Sequence, residues 1–301
     1  MPFFSVIIPT YNRADIIKET ILSVKNQQFT DWECIVVDDG STDETRDVVG
    51  EMADADSRIV YVHQKNAERS AARNRGISLA KGDYLCFLDS DDYYLNSHLT
   101  KLYNNIVKGN QPEALLFTNH IVNKFGQTEI VEVPPMEENV AKYLFEHPVI
   151  PARVCISKRI LDLEKFDEDI TIVEDTILWV RISQQYDIIH IDEPSVVYRL
   201  HDDNSINIKN NSSQRRLEGL LLCFQRYPEV KASLSKSYVK KLMGDTYFGL
   251  ARSNIYKHQS IKAIINLLKS IAFLGIHNQL KHKAYLIVLL LFNRPIKQYQ
   301  Q

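Results

Sequence analysis

The stretch Tyr84-Leu85-Cys86-Phe87-Leu88-Asp89-Ser90-Asp91-Asp92 decides how the rest of the chain is read. Five residues suited to a strand buried on both faces run straight into three carboxylates, and in an open α/β sheet ligands bind at the carboxyl ends of strands. Asp89 and Asp91 flank a small serine, so two hard oxygen donors can converge on one Mg²⁺ or Mn²⁺, with water and a substrate phosphate completing its shell. The competing reading makes these aspartates the start of the next helix, where carboxylates are favoured. A cap needs one acid, and here there are three.

Upstream, the same pattern of apolar run, polar strand end and helix recurs. Phe3–Ile8, closed by Pro9, predicts the first strand, and Pro9-Thr10-Tyr11-Asn12 the loop after it, with Asn12 capping a helix that carries Ile16, Ile17, Ile21 and Val24. Cys34–Val37 predicts a second strand ending at Asp38-Asp39-Gly40, and Ser41-Thr42-Asp43-Glu44 reads as a capping box. Asp39 suits either a hydrogen bond to a nucleobase or ribose or the satisfaction of nearby backbone N–H groups; its position leaves both open. Arg58–Val62 predicts a third strand and Arg69–Ala80 a third helix. Arg69 and Arg73 share one helix face and could neutralise a diphosphate, although the spacing alone favours a solvated surface pair.

Downstream, Leu99, Leu102, Tyr103 and Ile106 predict a helix ending before Gly109, Ala114–Phe117 a strand, and Val122–Val133 a hairpin broken at Phe125-Gly126-Gln127. Glu174 and Asp175 open a predicted helix, whose dipole is expected to hold a general base ionised; an ordinary acidic first turn has the same appearance. Ser195–Leu200 predicts a late strand delivering His201, which reads as a third metal ligand or as a loop residue. From about Arg215 the chain reads as helical, with an apolar stripe at Ile261, Ile264, Ile265 and Leu268. The run Ala284–Phe292 falls short of the roughly 20 apolar residues that span a bilayer. Flanked by Lys281, Lys283, Arg294 and Lys297, it suits packing on preceding helices or lying on an anionic membrane surface.

Composition bounds the function. Hydrophobic residues make up 45% and charged residues 25% of 301, an ordinary globular balance, and the net charge of −2 argues against a protein built to coat nucleic acid. Cys34, Cys86, Cys155 and Cys223 show no metal-ligand spacing and are expected as reduced core thiols. Met1 leads directly into a strand-like run with no secretory signal, which gives the expectation of a cytoplasmic protein, peripheral at the inner face of the membrane if the tail touches lipid.

Taken together, Ser5-Val6-Ile7-Ile8-Pro9-Thr10-Tyr11-Asn12-Arg13, Val37-Asp38-Asp39-Gly40-Ser41-Thr42-Asp43, Ala72-Arg73-Asn74-Arg75-Gly76, Phe87-Leu88-Asp89-Ser90-Asp91-Asp92 and Glu174-Asp175 resemble a family 2 glycosyltransferase, in the family's order, over about residues 3–205. The resemblance implies an α/β, Rossmann-like GT-A fold with a mixed central sheet and helices on both faces (1–210), followed by a C-terminal helical appendage (211–301). It implies inverting transfer from a nucleotide-diphosphate sugar, commonly a uridine nucleotide, to a saccharide or lipid-linked acceptor, assisted by Mn²⁺ or Mg²⁺. By position, Pro9, Thr10, Tyr11 and Asp39 would cradle the nucleoside, Arg73 would approach the diphosphate, and Asp89 would lie near ribose and metal. Asp91 and His201 would hold the metal, and Asp175 would be the base, with Glu174 beside it at the substrate.

There are two departures. Where relatives often carry glycine two residues after the asparagine of the donor-side loop, this chain has Asn66-Ala67-Glu68, and the Gln-x-x-Arg-Trp signature of processive synthases is missing, which favours one sugar per encounter. Two rivals stand beside the transferase. A phosphatase with an aspartyl nucleophile also places Asp-x-Asp after an apolar strand, but normally the first strand and with a following threonine. A non-catalytic nucleotide-sugar-binding module would keep the donor site and be indifferent to loss of Asp175.

Overall fold

The computed structural model describes residues 1–200 and 212–275; His201 and the run Ala284–Phe292 lie outside the described residues. The chain divides into two compact units, Met1–His201 and Asp202–Gln301.

In the first unit the elements run β1 (Phe4–Thr10), α1 (Ile17–Lys25), β2 (Trp32–Asp38), α2 (Thr45–Ala55), β3 (Ile59–His63), α3 (Glu68–Leu79), β4 (Tyr84–Phe87), β5 (Tyr93–Tyr94), α4 (His98–Lys108), β6 (Ala114–Lys124), β7 (Gln127–Val131), α5 (Val140–Glu146), β8 (Val154–Ser157), α6 (Lys158–Leu163), α7 (Glu174–Ile182) and β9 (Asp187–Leu200). The sheet has the order β3-β2-β1-β4-β8-β6-β9-β5, with β7 paired to β6. β1 to β4 are mutually parallel. β8 is antiparallel to both β4 and β6, and β6 is parallel to β9. The strand inserted at β8 therefore restores direction, and β1, β2, β3, β4, β6 and β9 all end at one edge of the sheet. This is the mixed, Rossmann-like sheet expected from the sequence, and the hairpin forms as β6–β7 with Phe125 and Gly126 both at positive φ in its turn.

Side-chain alternation divides the core. Phe4, Val6 and Ile8 of β1 and Cys34 and Val36 of β2 pack with Ile17, Ile21 and Val24 of α1 and Leu99, Leu102 and Ile106 of α4. On the other face Ile7 receives α3 so closely that a Cβ on Gly76 would come within 2.4 Å of its Cγ2, which is why glycine closes the Ala72–Gly76 run. Phe87, Phe166 and Trp179 pack edge to face or tilted on that same face, with centroids 5.4 to 6.3 Å apart, and dock α7 there. All four cysteines are buried free thiols.

Several local expectations are corrected. Pro9 lies inside β1 rather than closing it. Leu88 N–H donates to the Ile7 carbonyl, so residues of Ile7's parity, Pro9 included, face β4, whose pairing stops at Phe87; the missing proline N–H breaks no ladder bond. Asn12 does not cap α1. It sits at φ +50°, takes the Thr42 N–H on Oδ1 and gives its own N–H to Ser41 Oγ. The Ser41–Glu44 capping box does not form, because Ser41 is spent on that contact and Asp43 accepts from Thr45 N–H and Ala14 N–H instead. The first two strand-end loops thus satisfy each other.

In the second unit α8 (Ser212–Arg226), α9 (Pro228–Ala232), α10 (Lys236–Tyr256) and α11 (Ser260–Leu274) follow. Phe248, Ala251 and Ile255 of α10 pack on Ala263 and Leu267 of α11. No helix among the described residues is long and apolar enough to cross a membrane.

Candidate functional site

The shared strand edge carries the predicted residues. Asp39 follows β2, and its N–H donates to the Thr10 carbonyl at 2.8 Å, which sets it beside Tyr11 at the end of β1. Tyr11 is 47% exposed, whereas Thr10 is buried. Asp39 Oδ1 accepts from Gln64 Nε2 at 2.8 Å and Ala67 N–H at 2.9 Å, so one oxygen does the loop-stabilising work of a turn aspartate. Neighbouring Asp38 is fully buried; burial pushes its carboxyl up, but hydrogen bonds from Ser41 and Tyr61 outweigh this and leave it below its ordinary value.

At the end of β4, Asp89, Asp91 and Asp92 are held in three different ways. Asp89 Oδ1 is 2.8 Å from Arg73 Nη2. Asp91 Oδ2 lies 3.9 Å from Arg13 Nη2. Asp92 is fully buried and accepts the Arg199 N–H at 2.9 Å, while its second oxygen has no partner. Burial and the charges of Asp89 and Asp91 push the Asp92 carboxyl well above its ordinary value. Arg199 also donates from Nε to the Asp91 carbonyl and pairs with Glu19, and β5 pairs with β9 through Tyr93–Val197 and Tyr94–Val196. These contacts bring Arg199, near the end of β9, to the aspartates.

Arg73 departs from the solvated pair that its spacing favoured. Its guanidinium is 2% exposed, reaches Glu174 Oε1 at 3.1 Å as well as Asp89, and lies 5.3 Å over the Phe166 ring. Arg69 approaches the same Glu174 oxygen at 3.8 Å, which confirms the shared helix face. Burial alone would lower the Arg73 pKa; the adjacent carboxylates more than reverse that. Its two terminal nitrogens are turned to Asp89 and Glu174, while Nε is buried without a hydrogen-bond partner, so in this arrangement the guanidinium braces the two carboxylates.

Glu174 and Asp175 are separated by these contacts. Glu174 is buried under two arginines, while Asp175 is partly exposed and its Oδ1 accepts the Thr176 N–H at 2.6 Å. The expectation that the helix dipole holds Asp175 fully ionised is corrected: burial and the charge of Glu174 push its carboxyl up to about 7. Val173, just ahead of both, is at φ +67°, an uncommon conformation for a β-branched residue. Asn12, Glu68 and Val173 place left-handed backbone at three loops that open onto the strand edge.

Glu68 occupies the position where the resemblance leads one to expect glycine, and it keeps the left-handed conformation, φ +70°. That geometry costs an L-residue about 1–2 kcal/mol, more when the side chain is β-branched. Melting temperatures should therefore fall in the order Glu68→Gly, wild type, Glu68→Val, with roughly 1 kcal/mol between neighbours. A Val variant as stable as the Gly variant would show that the loop does not hold this conformation.

Residues to which the sequence reading gave no role also shape the site: Arg13 beside Asp91, Arg199 beneath the aspartates, and Phe166 under Arg73. Each acts on a partner far away in sequence, and no local pattern marks it. Among the described residues no group of three His, Cys, Asp or Glu side chains converges as a metal cage. Asp89 and Asp91 alone are an all-oxygen donor pair of the sort that holds Mg²⁺ or Mn²⁺ jointly with a substrate's phosphates, so the residues fit such an ion.

The model of the glycosyl transferase family 2 matches residues 5–131. The chain is 28% identical over 280 residues to the GalNAc(5)-diNAcBac-PP-undecaprenol beta-1,3-glucosyltransferase of Campylobacter jejuni, covering 89% of this chain and 87% of that one. It is 37% identical over 127 residues to an uncharacterized glycosyltransferase of Haemophilus influenzae, 42% of this chain and 47% of the relative. Among solved structures, Staphylococcus aureus TarS 1-349 in complex with UDP-GlcNAc superposes with a TM-score of 0.60 at 18% identity, over 99% of this chain and 93% of that one. The mannosyltransferase PcManGT from Pyrobaculum calidifontis, in complex with GDP-Man and Mn2+, gives 0.57 at 18% identity over 97% and 88%. At such identities the structures speak to the fold, which is GT-A.

Proposed function

From a chain that belongs to glycosyl transferase family 2, and is thus a glycosyltransferase, we propose an enzyme that moves one sugar, with inversion, from a nucleotide-diphosphate sugar to a hydroxyl of a saccharide or lipid-linked acceptor. The observation that carries this reading is the division of labour at the strand edge: Arg73 ties Asp89 to Glu174, while Asp91 and the partly exposed Asp175 are not among its ion pairs. A UDP-sugar is the favoured donor, in keeping with the TarS complex, and a lipid-linked acceptor is in keeping with the named substrate of the Campylobacter relative. The phosphatase rival gives way to the family. It also fails on geometry, since its nucleophile would be an aspartate neutralised by a buried arginine.

In this reading the exposed Tyr11 ring and the remaining acceptor capacity of Asp39 meet the nucleoside, with Pro9 and Thr10 shaping the loop between them. Asp91, with Asp89 and in the family pattern His201, would hold Mn²⁺ or Mg²⁺, which when bound offsets charge on a departing diphosphate. Asp175 removes the proton from the acceptor hydroxyl as the oxygen attacks the anomeric carbon. A base whose carboxyl is pushed up to about 7 is well matched to that task, because about half of it is unprotonated at neutral pH and that half is still basic. Glu174 stays paired and holds the start of α7 in place. The two-unit chain would work in the cytoplasm, with the C-terminal helices meeting the inner membrane surface.

The test is donor binding. Titration of the purified chain with UDP-, GDP- and dTDP-sugars, with and without Mn²⁺, should single out one nucleotide whose affinity rises with the metal. Asp91→Ala should abolish the metal-dependent part of that affinity, because it removes one of the two carboxylates at the strand end that suit the ion. The same gain with Mn²⁺ in both proteins would overturn the metal assignment.

A further inference from the structure

Helix α11 is turned the wrong way out for a helix in water. Of its fifteen residues, Ser-Ile-Lys-Ala-Ile-Ile-Asn-Leu-Leu-Lys-Ser-Ile-Ala-Phe-Leu, the ones it buries are Ala263, Asn266, Leu267 and Ser270. The stripe predicted as its apolar face faces outward instead: Ile261 is 76% exposed, Leu268 61%, Ile265 47% and Ile264 46%. Spacing of three and four residues sets these four side chains on one arc of the helix. Meanwhile Asn266 is 9% exposed and Ser270 is fully buried, its hydroxyl without a partner. The inward face needs small residues because α10 comes so close that a Cβ on Gly244 would sit 2.3 Å from Leu274 Cγ. That explains Ala263 and Ser270 but not four large aliphatic side chains opposite them.

The charges on α11 narrow the choice of partner. It has two lysines and no acid. Lys262 and Lys269 are both exposed, fall close together on the helical wheel, and flank the aliphatic row on one side, with Lys269 Nζ 5.2 Å over the Tyr247 ring. An aliphatic face bordered by basic residues matches the boundary between acyl chains and anionic headgroups, where apolar side chains insert and lysines meet phosphate. A second copy packed antiparallel on this face would bring lysine against lysine. The helix is too short to span a bilayer and would lie along its surface.

The geometry points to the outward face of α11, Ile261, Ile264, Ile265 and Leu268 with Lys262 and Lys269, as a docking surface for an anionic lipid bilayer. This deepens the transferase reading on which it rests, because it names the surface by which the chain would reach a lipid-linked acceptor.

Flotation of the full chain with vesicles tests it. Wild type should float with vesicles of mixed phosphatidylglycerol and phosphatidylcholine at low salt, float poorly with phosphatidylcholine alone, and be released as salt rises. Combining Ile261→Gln with Leu268→Gln should lower the bound fraction by about tenfold or more with no fall in melting temperature, since both side chains already face outward. Lys262→Glu with Lys269→Glu should erase the preference for anionic vesicles. Three results would overturn the inference: wild type that ignores anionic vesicles, a double-glutamine variant that floats as well as wild type, or sedimentation velocity showing that the aliphatic row joins two copies. Donor titrations on the same proteins separate the two readings. Wild type that binds donor but no anionic vesicle condemns only the docking surface, and wild type that floats but binds no donor condemns only the donor site.

Discussion

In the Asp175→Asn protein, sugar transfer should fall by about 10²-fold or more while donor affinity is retained, the usual scale for losing general-base assistance. Asparagine keeps the size of the side chain and its capacity to accept the Thr176 N–H, so the start of α7 survives and only basicity is lost. The pH dependence provides a second readout. A base whose carboxyl is pushed up to about 7 makes kcat/KM climb with pH and level off above that value, and the Asn variant should lack this limb. Stability moves the other way. The unfolded chain ionises this residue near its ordinary value of 3.8, whereas the native chain keeps the proton to about 7. Native stability is therefore lost across that window, and the loss is complete above it. Asp175→Asn should accordingly melt above wild type at pH 8 and level with it at pH 4. Glu174→Gln supplies the contrast, because its partner arginines make it a structural group. If transfer collapsed in Glu174→Gln and survived in Asp175→Asn, the two roles would be exchanged.

Those parts of the site that a local pattern could encode were legible in the sequence. The β4 run reads as a strand buried on both faces because it is one, and the aspartates after it fall at the strand edge because β4 is parallel to its neighbours β1 and, across β8, to β6. The antiparallel β8 strand was not legible, since three apolar residues and a serine carry no direction. Asn12 and Ser41 have the composition of caps, yet each is recruited by the other across 29 residues of chain. Arg73 and Glu174 meet across 101 residues, so a helical pair that looked solvated is buried by an element that its own stretch of sequence cannot announce. Periodicity found the α11 stripe but not its direction, because period marks one face of a helix without saying what covers it.

Arg73→Met should be the most damaging single change to the fold of the first unit. It should cost about 3–5 kcal/mol, a fall of roughly 10 °C in melting temperature, because it leaves the buried Glu174 side chain with the more distant Arg69 in place of its close partner. The size of the loss alone would not separate an electrostatic role from lost packing over Phe166. The double variant does: Arg73→Met with Glu174→Gln no longer holds a buried charge on either side, and should recover a large part of the stability, which a double-mutant cycle reads as a coupling energy of about 1–3 kcal/mol. Strictly additive losses would mean that the two residues do not act as a pair. Arg73→Lys should fall between wild type and Met, because a single ammonium cannot reproduce the planar fork that reaches Asp89 and Glu174 together. Donor binding follows from the same geometry. Once Asp89 loses its anchor it is free to swing from the strand edge, so the double variant, though refolded, should bind the metal-dependent donor more weakly than wild type. Stability restored without affinity is the result that makes Arg73 a positioning residue for the aspartates and not merely a strut of the core.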